Sequence, residues 1–163
     1  MDIRDLQKPL RERYREDPST SRITLSARGS EAEEGPLSCS VDIGRELYEA
    51  QAHAGVGGPG SAACSGDLLL GALAACAQVT CQLVAANMGM AADRIEVVAE
   101  GDLDLRGTLG SRDVPVGFEE IRLRLEIDAP EAGEEDLAAL REKTERYCVV
   151  LQTLLEPPRI RVS

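Results

Sequence analysis

Residues 65–89 read S-G-D-L-L-L-G-A-L-A-A-C-A-Q-V-T-C-Q-L-V-A-A-N-M-G, and their apolar side chains point in nearly every direction around a helical axis. Ser65 is a good N-cap, Asp67 places negative charge in the first turn, and Gly89 is a natural stop. Leu69, Leu73, Cys76, Thr80 and Leu83 share one side; Leu68, Ala72, Ala75 and Val79 cover the other. A helix that is apolar nearly all round must be buried. The run is long enough to span a membrane, but Gln78, Gln82 and Asn87 interrupt it and no Lys/Arg cluster flanks it. It is therefore expected to be the central core helix of a soluble domain. A chain of 163 residues has difficulty covering such a helix alone, so a second subunit is expected to help.

The rest of the composition narrows the partners. A net charge of −11 argues against nucleic acid or an anionic membrane, both of which need basic surface. Trp is absent and Phe occurs once, so there is no aromatic platform for stacking on bases. The five cysteines, Cys39, Cys64, Cys76, Cys81 and Cys148, form no C-x-x-C, and His53 is the single histidine, so no metal site is expected. The odd count and the lack of a signal-peptide pattern lead to the expectation of a cytoplasmic protein with free thiols.

Taken in order, residues 3–16 read as a short charged helix interrupted by Pro9 and ended by Asp17-Pro18. Residues 22–27 alternate, 29–35 form a polar turn, and 37–43 alternate again with Cys39 inward, which is the pattern of a hairpin. Residues 55–66 are rich in glycine but match neither a P-loop nor a dinucleotide fingerprint. The expected role is a loop that brings backbone close to the mouth of the central helix; His53 just before it is most simply exposed. Beyond the helix, residues 94–106 alternate, with Ile95, Val97, Ala99, Leu103 and Leu105 inward and Glu96, Glu100, Asp102, Asp104 and Arg106 mostly outward. Residues 121–127 alternate likewise and make a second antiparallel pair with them. Residues 134–147 are a second helix with acidic start and basic end, Cys148 stands at or just past its end, and 159–162 read as a last strand. The whole is α+β, a single domain over residues 1–163.

Cys76 lies mid-helix and Cys148 at a helix end, and neither alternates on a strand. Each alone is a common small core residue. Together they also suit a redox pair, whereas Cys81, turned well away from Cys76 on the helix, suits packing and Cys64 is a spare thiol in the preceding loop.

The run L-L-L-G-A-L-A-A-C-A-Q-V-T resembles the signature around the first reactive cysteine of the OsmC/Ohr proteins, and R-Y-C-V-V-L-Q-T-L resembles their second-cysteine segment. V-V-A-E-G-D-L-D-L-R-G and G-F-E-E-I-R-L-R-L-E-I resemble the family's strand pair, and P-L-R-E-R-Y-R-E-D-P the start of an OsmC-like subgroup. The resemblance implies antiparallel sheets wrapped around two central helices in an intertwined homodimer. It implies thiol-dependent reduction of organic hydroperoxides in oxidative-stress defence. Cys76 would be peroxidatic and Cys148 resolving, with an external dithiol, in some members a lipoyl group, as reductant and no bound cofactor or metal. The family's arginine from the first hairpin falls near Arg28 as thiolate stabiliser. Gly66 and Asp67 stand where its Glu-Glu would, leaving Asp67 as the carboxylate candidate, and Val149 replaces the usual proline. The competing reading is a non-catalytic dimer of the same fold that binds a small apolar or thiol-reactive ligand or senses redox state.

Overall fold

The computed structural model describes residues 3–31, 39–42, 52–58 and 63–162. Among the described residues five α-helices and four strands run in the order α1 (Ile3–Glu16), β1 (Arg22–Glu31), β2 (Cys39–Asp42), α2 (Ser65–Asn87), β3 (Arg94–Asp104), α3 (Leu105–Thr108), β4 (Glu120–Asp128), α4 (Glu134–Tyr147) and α5 (Val149–Leu155). The strands form one sheet in the order β2-β1-β3-β4. Its β3–β4 register is antiparallel, marked by Asp93 N–H to Asp128 O at 2.7 Å and Glu119 N–H to Asp102 O at 2.8 Å. The Thr24–Asp102 and Arg28–Glu96 side-chain pairs show β1 running antiparallel to β3. The fold is α+β, as the alternation of patterns implies.

The chain divides into two compact units. The first comprises Met1–Ala27, Asp42–Leu70 and Ala99–Arg122. Its core gathers Tyr14, Val56, Leu105 and Leu109, with Leu10, Ile23 and Leu103 packed against them. The Tyr14 hydroxyl donates to Gly55 O at 2.5 Å and so ties α1 to the 3-10 turn at Ala54–Val56. Pro9 is accommodated inside a continuous α1 rather than dividing it.

The second unit comprises Arg28–Val41, Gly71–Val98 and Leu123–Ser163. Its core gathers Cys81, Ala85, Ile95 and Leu140, bordered by Val84, Met88, Leu125 and Ile127. Within this unit α2 buries Leu73, Ala74, Ala77, Gln78, Cys81 and Ala85, a stripe at helical spacing. Gln78 is tolerated there because its amide donates to Ile95 O at 2.9 Å. By length and composition α2 would pass for a membrane span, yet less than half of its apolar window is buried within the chain and Leu83 is exposed.

The ends of α2 are set locally. Gly89 has φ +67°, and Gly89 N–H to Ala86 O (3.1 Å) with Met90 N–H to Ala85 O (2.9 Å) complete a Schellman stop. At the other end Cys64, not Ser65, is the capping residue: Leu68 N–H donates to Cys64 O at 3.1 Å, and the Asp67 carboxylate accepts Cys64 N–H at 2.7 Å. That return bond is one half of a capping box.

Three expectations change. β1 continues through Glu31, past the start of the expected turn, whose remainder lies outside the described residues together with both ends of the expected 37–43 strand. Residues 159–162 form no strand, and Ile160 and Val162 are exposed. The segment after Cys148 is instead the helix α5. Finally, β3 is buried on both faces from Ile95 through Ala99, so Glu96 is enclosed rather than outward. The Glu96 carboxylate is ion-paired by Arg28 on the neighbouring β1 and by Arg94 on its own strand, which offsets the cost of enclosing it.

Candidate active site

Cys76 and Cys148 meet in the second unit. Cys76 is the mid-helix thiol of α2 and remains partly accessible; Cys148 is fully buried. Cys148 is placed by two helices at once. Its N–H donates to Thr144 O at 3.0 Å, closing α4, and its carbonyl accepts Gln152 N–H at 2.9 Å, opening α5. Both thiols are free. Burial raises the Cys148 thiol to about 11, and its S–H interaction with Cys76 adds to the rise, against the N–H groups of Leu151 and Val150 that pull it down. The two sulfurs are thus neighbours of unequal character. Cys148 holds its proton and is placed to donate it to the more accessible Cys76 sulfur.

Cys81, also in this unit, is fully buried. Burial raises its thiol, with a hydrogen bond to Thr144 and the charge of Arg141 acting in the opposite sense. It packs in the core with Leu140 and Ile95, which is the structural role its helical position suggests.

Arg28 projects from β1 with its guanidinium half exposed and forms an ion pair with Glu96. Arg94 pairs with the other oxygen of the same carboxylate. Glu96 is only 4% exposed, so two cations surround an enclosed anion. This carboxylate is the residue that sequence reasoning missed. Its signal was a Glu in the middle of the most apolar strand, V-V-A-E-G being preceded by R-I-E.

Asp67 lies in the first unit, where its carboxylate is engaged by the backbone of Cys64. Cys64 is buried, and its thiol is raised by burial, with the Asp67 carboxylate favouring the protonated form and backbone N–H groups opposing. Cys64 therefore keeps its proton near neutral pH and is not an activated nucleophile. Together with His53, Leu69, Leu103, Val116 and Phe118 it lines a largely apolar cavity of about 480 Å³. His53 is half-buried rather than exposed, and its Nδ1 accepts Gly55 N–H at 3.0 Å. Among the described residues no cluster of His, Cys, Asp and Glu is arranged to hold a metal.

A family model described as OsmC-like protein matches residues 58–163, the part that contains Asp67, Cys76 and Cys148 but not Arg28. The structure is similar to that of an OsmC-like hydroperoxide resistance protein from Jannaschia sp. CCS1, with a TM-score of 0.64 and 16% sequence identity over 87% of this chain and 92% of that one. No curated protein matches the chain.

Proposed function

The chain belongs to the OsmC-like protein family, and from that premise we propose that it reduces organic hydroperoxides with Cys76 and Cys148 as its redox pair. The observation that carries this reading is the pairing of an accessible thiol with a buried, protonated one beside it. The Cys76 thiolate attacks the terminal oxygen of the hydroperoxide. The O–O bond breaks, the alkoxide takes a proton and leaves as alcohol, and Cys76 becomes a sulfenic acid. The Cys148 sulfur then attacks the Cys76 sulfur, displacing hydroxide that leaves as water with the thiol proton, and a disulfide forms. The substrate has gained two electrons and the two thiols have lost them. An external dithiol, for which a lipoyl group is a suitable carrier, returns them by exchange. In this reading Arg28 lends positive charge to the Cys76 thiolate, with Glu96 as its carboxylate, and Asp67 fixes the first turn of α2. A homodimer covers the apolar face of α2, and the protein works in the cytoplasm without a bound cofactor.

The apolar cavity beside Cys64 favours a second reading, a non-catalytic dimer that binds a small apolar ligand. Consumption of cumene hydroperoxide with a dithiol donor separates the two. Wild type is expected to turn over and Cys76→Ser to fall to background; equal rates for the two proteins would remove the peroxidase reading.

A further inference from the structure

The first unit holds a second cavity, of about 430 Å³, with no cysteine among the described residues of its wall. Three arginines line it, Arg11 and Arg15 from α1 and Arg106 from α3, with the Tyr14 ring and Leu109 as apolar wall and Ser111 at the turn that follows. Among the described residues no acidic side chain lines it, in a chain whose net charge is −11. The helical spacing explains the sorting. Arg11 and Arg15 are four apart and share a face, while Glu12 and Glu16 each sit one residue further round the helix.

Arg106 is held in advance of any ligand. Asp104, 1% exposed, accepts from its Nε at 3.0 and 3.1 Å and from its Nη2 at 2.5 Å. Asp104 is fixed in turn by the Ser21 hydroxyl and by Arg106 N–H at 3.0 Å. The Arg106 hydrogen bonds hold this carboxyl well below the usual range, so it stays ionised. Glu119 adds a longer-range attraction on Arg106 without joining the wall. Such an arrangement commits one edge of a planar guanidinium to the protein and fixes the direction of the rest. Pre-positioned arginines favour planar or tetrahedral oxyanions, and the volume falls in the range of small-molecule sites.

We propose that this cavity binds a small organic anion, a phosphate or carboxylate group on a compact apolar body, held by Arg11, Arg15 and Arg106. The oxyanion meets the guanidinium groups and the apolar body lies against Tyr14 and Leu109. Arg11 and Arg15 stand on α1, which precedes the stretch matched by the family model, and Arg106 stands inside that stretch. It is independent of the hydroperoxide chemistry.

Calorimetric titration of the full chain with phenyl phosphate and with benzoate tests it, and the tighter of the two identifies the oxyanion. Saturable binding at a single site is expected. Arg15→Gln and Arg106→Gln should each weaken it about tenfold or more, the loss of one charge-assisted hydrogen bond, while Arg161→Gln in the exposed C-terminal segment leaves it unchanged. Arg106→Gln strands the buried Asp104, so Arg15→Gln, at an exposed position, decides the matter if the former fails to fold. No saturable binding of either compound at millimolar concentration, or equal binding by wild type and Arg15→Gln, would overturn the proposal.

Discussion

At the scale of single residues, the protein places its charges where pairing rather than water supports them. Glu96 and Asp104 are both enclosed on β3, and each is matched by arginine. Cys148 is the opposite case, a buried group that stays neutral. Its folded-state value of about 11 lies above the ordinary thiol value of 9.0, so the folded chain holds this proton to higher pH than the unfolded chain does. Stability from this group is complete below the ordinary value and is lost as pH rises through the window up to about 11. Urea unfolding across that window should show the wild-type midpoint falling more steeply than that of Cys148→Ser. Parallel curves would mean that the thiol is not held protonated. In the catalytic reading the same variant, exposed to hydroperoxide without reductant, should retain a Cys76 sulfenic acid that a dimedone-type probe labels, because no second sulfur resolves it.

At the scale of elements, α2 and α4 were readable because each carries its own boundaries. The glycine stop of α2 and the charge gradient of α4 act within a turn or two of themselves, and α4 spans the residues its pattern implies. The pairing of Cys76 with Cys148 was readable from the resemblance and from their places in helices, not from any local signal. What escaped was decided at a distance. β3 alternates like a half-wet strand, yet it is buried on both faces from Ile95 through Ala99, and one of the two partners that make Glu96 tolerable is Arg28 from another strand. Residues 159–162 alternate like a strand and pair with nothing among the described residues, because alternation alone supplies no neighbour to hydrogen-bond. Asp67 looked like a site carboxylate, and the helix end it caps supplies a local use for it. Packing between elements is measurable at Leu140, fully buried where α4 meets Cys81, Ala85 and Ile95. Leu140→Ala should cost about 2–5 kcal/mol, read as a lowered urea midpoint with unchanged slope.

At the scale of the whole molecule, exposed apolar residues remain to be explained. Leu69 and Leu83 on α2, Val149 and Leu155 on α5, and Ile160 and Val162 beyond it are all exposed in the isolated chain. Single exposed apolar residues are ordinary, but a helix as apolar as α2 with an uncovered face points to a partner. The homodimer proposed above predicts light-scattering mass at twice the chain mass. Leu83→Glu, which alters an already exposed position, should halve that mass with the far-UV circular dichroism retained; a monomeric wild type would contradict the proposal. Cys148 has a mechanical side at this scale. The residue that ends α4 also begins α5, so it is a knee between two rods, and its sulfur is the point at which a bond to α2 would fasten them. Under the proposed chemistry each turnover locks and releases that knee, so the posture of the C-terminal end carries the record of the last oxidant met.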